Sequence, residues 1–376
     1  MTTIATPQTS HRDTAEARAV SSPLMGKATT AYARENHLLL ANAPQVALQA
    51  GGTPVGPDAT PRQAFAAGAD FTVASRPLAF DASPASEDDP TPSWDWRCVN
   101  SHRAIVRTDS NRSLGIVGRG YTPVQNESLI QLFEFLREDS KLDNIVVLDH
   151  GRKVFATASI AIEGDVKAGD PIRRYLHAFN SHDGSSSFGV FFSDLRVVCA
   201  NQLRYISGRG ARKAQGAGLV MRHTRSVEEF AQRLPQLIDL ENARFRRDLA
   251  ELQPLTTARL STEAARAVLE ATYADKLATP IVDKTSKVKR ARTLDDLETE
   301  LSTIRSHAFG STGIGIDPSD RSVWNLFQAI TQYETHDTGR AKDDLERART
   351  RLESLWGGTA SQRIDRAREA CLALTR

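Results

Sequence analysis

Residues 180–225 read NSHDGSSSFGVFFSDLRVVCANQLRYISGRGARKAQGAGLVMRHTR, and this stretch decides the fold. Asp183 and Gly184, followed by serines, are typical of a tight hairpin turn, because both residue types tolerate positive φ angles. The apolar runs at 188–192 and 197–199 are rich in aromatic and β-branched residues, which favour strands. The stretch therefore predicts consecutive antiparallel strands that are joined by a turn.

The residues before this stretch continue the same pattern. β-type runs at His102–Arg107 and Leu114–Val117 flank the turn residues 109–111, which predicts a hairpin. A helix follows, because Asn126 is a favoured N-cap and apolar residues then recur at helical spacing. Further strands are predicted at 145–148, 154–162 and 173–179.

The spacing of apolar residues changes from a period of two to a period of 3.6 after Ser226. This spacing predicts a succession of helices up to Leu374, the first of them kinked at Pro235, which cannot donate to the helix ladder. The fold class is therefore α+β. An antiparallel sheet domain with a packed helix is expected over residues 93–225, followed by an all-helical region over 226–376.

The first quarter of the chain, residues 1–92, differs in composition from the rest. It is rich in Ala, Pro and Ser, and it ends in the acidic, proline-broken segment DASPASEDDPTP at 81–92. Such composition buries little apolar surface and is typical of disordered tails and linkers. The sequence predicts a largely disordered tail, with ordered structure beginning near Trp94.

Composition and charge bound the class of protein. The chain has 376 residues, a formal net charge of only +2, and three widely spaced cysteines that form no CxxC pair. No apolar run approaches the roughly 20 residues that cross a bilayer. We therefore expect a cytoplasmic protein without a disulfide framework and without a membrane partner. Any attraction to nucleic acid must come from local clustering of charge.

Such a cluster lies in the stretch quoted above. No Asp or Glu occurs from Leu195 to Val227, whereas arginines recur and glycines interrupt the middle of the segment. Arginine suits bidentate contacts to phosphate, and an aromatic residue nearby can stack on a base. The alternative is a solvated loop whose arginines pair with acids elsewhere. The candidate nucleic-acid-binding residues are Arg204, Tyr205, Arg209, Arg212, Lys213, Arg222 and Arg225.

Histidines near the same stretch raise the question of a metal site or a catalytic base. His177, His182 beside Asp183, and His223 fall within the predicted sheet region. No pair has the spacing of a helical zinc site, and the chain contains no HExxH, GxxxxGK[ST] or GxSxG motif. A histidine that holds a turn is the commoner case. No metal, cofactor or catalytic residue is therefore predicted.

Several segments together resemble one known family. They occur in the order RAIVRTDSNRSLGIVGRGYTPVQNES, NSHDGSSS, LRVVCANQL, MRHTRSVEE, WNLFQAITQYETHD and RLESLWGG. On these segments, which span about Trp94 to Leu374, the chain resembles the phage/plasmid-like protein family, a domain-of-unknown-function family of bacteriophages, plasmids and actinobacterial genomes. Gln202 departs from the threonine expected in that motif. The resemblance implies a role in the biology of mobile elements and transfers no catalytic residue.

Three hypotheses of function follow. The first is a non-enzymatic nucleic-acid-binding protein of a mobile element, which binds or anneals single-stranded DNA in replication or recombination and assembles as a homo-oligomer. The second is an enzyme that processes nucleotides or nucleic acid, with His182, Asp183 and His223 in its site. The third is a protein-interaction module that blocks a host defence component through its helical half.

Overall fold

The computed structural model describes most of the chain beyond residue 52. The described residues are 53–56, 58–83, 95–135, 140–186, 188–196, 202–206, 218–221, 227–282, 289–339, 343–355 and 358–376. All of them belong to one compact unit, residues 43–376. None of the described helices is long and apolar enough to cross a membrane.

The larger of two main sheets has seven strands and is antiparallel throughout. Its order is β1-β5-β6-β7-β8-β10, and β9 also pairs with β8. The strands are β1 (Thr53–Pro54), β5 (Lys141–Leu148), β6 (Lys153–Asp165), β7 (Pro171–Ser181), β8 (Phe188–Arg196), β9 (Gln202–Ile206) and β10 (Gly218–Met221).

The smaller sheet has three strands in the order β2-β3-β4. They are β2 (Val73–Asp81), β3 (Trp96–Arg107) and β4 (Ser113–Gly118). Asn111, at φ 52°, lies in the turn between β3 and β4. The predicted hairpin is confirmed. Ordered structure nevertheless begins earlier than Trp94, because β2 precedes that residue and pairs with β3 along its length.

Helices make up most of the remainder of the described chain. Two precede β5, namely α1 (Pro61–Phe65) and α2 (Glu127–Glu134), and seven follow β10. The latter are α3 (Val227–Leu252), α4 (Thr262–Thr272), α5 (Ala274–Leu277), α6 (Glu298–Phe309), α7 (Val323–Gln332), α8 (Asp344–Leu355) and α9 (Thr359–Ala373). The α+β class is confirmed. The helical half is not purely helical, since Ile281–Val282 pair with Lys289–Arg290 as β11 and β12.

Strand β8 explains why the larger sheet is buried on both faces. All nine of its residues are buried. Phe188, Val190 and Phe192 pack on one face with residues of α2 and α3. The alternate residue Phe191 lies on the other face, where its ring stacks on His177 with 4.7 Å between centroids. Helices α8 and α9 cover part of this second face.

The turn between β7 and β8 agrees in detail with the sequence pattern. Gly184 has φ 75° in the turn between β7 and β8, as expected of the Asp-Gly pair. This turn packs closely on the smaller sheet, since a Cβ at Gly115 would lie 2.6 Å from the Cα of Asp183. Glycine at position 115 therefore lets the two sheets approach.

Helix α3 runs through Pro235 without a break in its span.

Candidate nucleic-acid interface

The cationic stretch falls largely outside the described residues. Arg204 and Tyr205 lie in β9, where their backbones pair opposite Asp194 and Ser193. Five further candidates lie outside the described part of the chain: Arg209, Arg212, Lys213, Arg222 and Arg225. These seven residues thus remain predictions.

Arg196 belongs to the same acid-free window but serves the fold. Its side chain is buried and pairs with Asp170, and Nη2 donates to the carbonyl oxygen of Gly315 at 2.8 Å. Asp170 also accepts from Nε1 of Trp324, at 3.0 Å. Arg196 therefore joins the larger sheet to the helical half, and the interpretation of arginines that pair with acids elsewhere holds for this residue.

Of the two histidines in the second hypothesis, the structure describes His182 and not His223. His182 is fully buried, and its Nε2 lies 3.0 Å from Oδ1 of Asn126. Asn126 stands at the N-cap position of α2, but its side chain makes no capping hydrogen bond. The predicted N-cap position is confirmed, but the Asn126 amide serves the buried contacts with His182 and Asn180 instead of the helix. His223 lies outside the described residues.

His177 is also part of the interior. Its Nδ1 lies 2.9 Å from Oγ1 of Thr157, and its Nε2 lies 2.6 Å from Oγ of Ser193. Burial lowers the pKa of His177 to about 3, so the ring is neutral at physiological pH. A neutral histidine between two hydroxyls ties three strands together. Among the described residues, no group of three His, Cys, Asp or Glu side chains could hold a metal ion.

The smaller sheet presents a surface that the sequence analysis did not single out. Val73, Ile105 and Val117 are buried in the core that lies under the sheet. Directly opposed residues of antiparallel strands share a face, so the register decides which side chains lie on the other side. Arg76 and Ile116 both pair opposite Ala104, and both are exposed, Ile116 by 59%. This outward side is named the open face below.

The far end of the β2–β3 ribbon is more exposed still. Trp96 is 61% exposed and Phe80 is 52% exposed. Phe80 pairs opposite Arg97, whose guanidinium is held by Asp95 at 2.9 Å. A shift in register between Pro77 and Ala79 marks a bulge in the ribbon. By this register Phe80 lies on the open face, whereas Trp96, which pairs opposite Asp81, lies on the other face of the ribbon.

Unpaired positive charge accompanies these rings. Arg76, Arg112 and Arg119 are exposed, and none forms an ion pair with another residue that the structure describes. By contrast, Arg107 is fixed by Asp109 at 2.7 Å and lies 3.9 Å above the ring centroid of Phe71. The open face and its rim therefore carry three arginines that are available to an anion.

A second basic run, residues 284–292, contributes less to a candidate interface. Arg290 forms a bidentate pair with Asp296, at 2.7 and 2.5 Å. Lys284 and Lys287, which belong to the same run, lie outside the described residues. Since the carboxylate neutralises Arg290, the open face is the stronger candidate for contact with phosphate.

The comparison with protein families gives one match. The sequence profile described as Domain of unknown function (DUF932) matches residues 113–356, more than half of the chain. The chain belongs to this family. The DUF932 region begins at the first residue of β4 and ends one residue after α8. The open face thus combines one strand of the DUF932 region with two strands, β2 and β3, that precede it. No curated protein and no solved structure matches the chain.

Proposed function

We propose that the protein binds single-stranded nucleic acid, DNA in preference, through the open face of the smaller sheet. The observation that carries the proposal is the combination of the exposed ring of Phe80 with three exposed arginines, namely Arg76 on β2, and Arg112 and Arg119 next to the two ends of β4. Proteins that bind single strands combine aromatic rings, on which bases stack, with cations that follow the phosphates. Ala104 has a small side chain and lies between Arg76 and Ile116, so it leaves room for a base.

The resemblance to the phage/plasmid-like protein family supports a setting for this activity. Proteins of mobile elements act on DNA during replication, recombination or the evasion of host defence. A protein that holds single strands would assist annealing there, and several copies would extend the bound length. Arg204 and Tyr205, together with the five other residues of the cationic stretch, form a second contact in this proposal.

Charge reversal on the open face provides the first test. The triple variant Arg76→Glu, Arg112→Glu, Arg119→Glu should bind a labelled single-stranded oligonucleotide more weakly in fluorescence anisotropy. Each phosphate contact on a single strand contributes about 0.7 to the slope of log affinity against log salt, so the slope should fall by about 2. The matched control, Arg246→Glu, Arg266→Glu, Arg305→Glu, changes the charge equally on exposed helical positions. Equal loss in both variants would contradict a local interface.

Reversal of the cationic stretch separates the two surfaces. The variant Arg209→Glu, Arg212→Glu, Lys213→Glu should also weaken binding if the stretch contacts phosphate. Unchanged affinity in this variant, with loss in the open-face variant, would remove the stretch from the proposal. Unchanged affinity in both would overturn nucleic-acid binding by these residues. A double-stranded oligonucleotide of the same sequence tests the preference for single strands.

Stacking is tested with a single substitution. Phe80→Ala should weaken single-strand binding by about 5- to 150-fold, since base–aromatic stacking contributes about 1–3 kcal/mol per base. Its salt dependence should stay the same, because no phosphate contact is removed. Phe80→Tyr should restore most of the affinity. Loss of affinity in both variants, or in neither, would contradict a stacking role.

A further inference from the structure

Thr312 lies in the loop that joins α6 to α7, and both helices hold it in place. At the end of α7, Nε2 of Gln332 donates to the carbonyl oxygen of Thr312 at 2.9 Å, and Oε1 accepts from the N–H of Ile314 at 2.8 Å. Gly313 packs so closely on α6 that a Cβ there would lie 2.2 Å from the carbonyl oxygen of His307. Thr312 is itself exposed. The loop therefore holds a solvent-accessible threonine on a fixed backbone.

The hydroxyl of Thr312 meets a buried histidine. Its Oγ1 lies 2.8 Å from Nδ1 of His307, in the last turn of α6. On the other side of the ring, Nε2 lies 2.7 Å from Oδ2 of Asp337. The side chain of His307 is 6% exposed and that of Asp337 is 37% exposed. A hydroxyl, an imidazole and a carboxylate in this order form the arrangement that activates a nucleophile.

A π-helical turn supplies the carboxylate. Residues Tyr333–Asp337 continue α7 as a π-helix, in which the backbone N–H of Thr338 donates to the carbonyl of Tyr333 at 3.2 Å. Asp337 is the last residue of this turn. Such turns are rare, and they frequently occur at functional sites.

Two partners fix the tautomer of His307. The carboxylate of Asp337 can only accept, so Nε2 of the ring carries the proton. The amide of Gln332 is oriented by its two bonds to the loop, and its N–H group lies 3.2 Å from Nδ1. In the neutral ring Nδ1 is therefore an acceptor, and Thr312 donates to it. Oγ of Ser306, at 3.0 Å from Oγ1 of Thr312, accepts that proton only when the ring is doubly protonated.

The groups beside Thr312 suit a carbonyl substrate. The backbone N–H groups of Thr312 and Gly313 bond to no atom in the described part of the chain, so they are available to an oxyanion. The Thr312 hydroxyl contacts no arginine or lysine among the described residues, whereas cations surround a phosphoryl group during its transfer. Ile314 is 46% exposed and offers an apolar contact. Neutral donors and an apolar side chain favour a carboxylic ester over a phosphate ester.

We infer that Thr312 is the nucleophile of an acyl-transfer site that takes small carboxylic esters, with His307 as its general base and Asp337 as a positioning residue. Oγ1 of Thr312 forms a bond to the carbonyl carbon while its proton passes to Nδ1 of His307. The tetrahedral intermediate then expels the alcohol, which takes this proton and leaves an acyl-threonine. Water attacks the acyl carbon in the same way, so the carboxylic acid leaves and Thr312 is restored.

The position of His307 supports this role. The C-terminal end of a helix favours positive charge, and His307 lies in the last turn of α6. The imidazolium that forms during the reaction is thus stabilised by the helix as well as by Asp337. No residue of this site belongs to the open face, so ester hydrolysis and nucleic-acid binding are tested separately.

A fluorophosphonate probe and p-nitrophenyl acetate test the site in the full chain. Oγ1 of an activated hydroxyl displaces fluoride from the phosphorus atom of the probe, and mass spectrometry locates the adduct. The expected results are one adduct, on Thr312, and ester hydrolysis that depends on this residue. An adduct at another residue, or equal hydrolysis by the wild type and Thr312→Val, would overturn the assignment.

Substitutions separate the roles. Thr312→Val removes the exposed hydroxyl at nearly constant shape and should abolish labelling, whereas Thr312→Ser should retain it. The matched control is Ser311→Ala, which removes the adjacent exposed hydroxyl and should change neither readout. His307→Gln should lower the rate of hydrolysis by about 100-fold or more, as is usual for loss of a general base. Since replacement of a buried side chain can disturb folding, Thr312→Val is the decisive variant.

The positioning role of Asp337 has its own readout. Asp337→Asn should slow hydrolysis, and Asp337→Glu should restore most of the rate. The ¹⁵N chemical shifts of the His307 ring should show a proton on Nε2 in the wild type and a loss of that preference in Asp337→Asn. Unchanged ring shifts in Asp337→Asn would remove Asp337 from the site.

Discussion

Replacement of Arg174 with alanine should lower the free energy of unfolding by about 3–5 kcal/mol. Arg174 is fully buried in β7, and its guanidinium meets three carboxylates. It lies 2.7 Å from Asp194 on β8, and 3.1 Å from Glu241 and 3.0 Å from Asp248 on α3. Without the cation, Asp194 would lose its ion pair in the interior, while Glu241 would keep Arg244 and Asp248 would keep Arg368. Urea denaturation followed by circular dichroism measures the loss.

The adjacent residue supplies the control. Arg173 is next to Arg174 in β7 and also forms an ion pair, with Glu163 at 2.9 Å. Its side chain is 23% exposed, and that of Glu163 is 42% exposed. Arg173→Ala should therefore lower stability by no more than about 1 kcal/mol, as is usual for exposed pairs. Similar losses for the two variants would show that burial of the Arg174 network has little energetic weight.

Replacement of Asp143 with asparagine should stabilise the protein at pH 8. Asp143 is 5% exposed in β5, and burial raises its pKa from 3.8 to about 7, although Ser159 donates to Oδ1 at 3.2 Å. Oδ2 has no hydrogen-bond partner in the described part of the chain. Lys141 and Arg173 each favour the ionised form, but burial outweighs them.

The sign of the effect follows from proton linkage. Between pH 4 and pH 7 the unfolded chain has lost the Asp143 proton, while the folded chain still holds it. The contribution of Asp143 to stability is therefore present at low pH and falls as the pH rises towards 7. Its full loss is about 4 kcal/mol, at about 1.4 kcal/mol per pKa unit. The variant lacks this loss, so it should match the wild type at pH 4 and exceed it at pH 8.

Asp109→Asn is a control with the opposite sign. Asp109 is exposed, and its hydrogen bonds from Arg107 lower its pKa, so this residue stabilises the fold at neutral pH and not in acid. Denaturation of both variants at pH 4 and pH 8 distinguishes the two cases. Equal stability of Asp143→Asn and the wild type at pH 8 would show that Asp143 ionises in the folded state without cost.

Local sequence signals predicted the parts of the fold that depend on neighbours in the chain. The Asp183-Gly184 turn and the hairpin between β3 and β4 were found because turn residues stand between β-type runs. Strand β2 was missed, since Arg76 and Pro77 interrupt any apolar alternation. Its pairing with β3 supplies the order that its composition does not indicate. The π-helix at Tyr333–Asp337 has no sequence signature either.

The candidate site was harder to predict than the fold. A count of charges along the chain grouped Arg196 with free arginines, but its partner, Asp170, lies in the connection before β7 and is found only in three dimensions. The open face is likewise formed by residues that are distant in the chain. Arg76 and Ile116 are 40 residues apart in the numbering and meet across Ala104 only through strand pairing. Register and burial, rather than composition, bring such residues together.

The burial of Trp324 has a consequence for the fluorescence of the protein. Its indole is fully buried and donates to Asp170, so its fluorescence should be blue-shifted and should respond when the sheet and the helices separate. Trp96, 61% exposed, should emit near the wavelength of indole in water. After replacement of Trp94 and Trp356 with phenylalanine, the blue-shifted part of the emission spectrum would report the separation of the sheet and the helices.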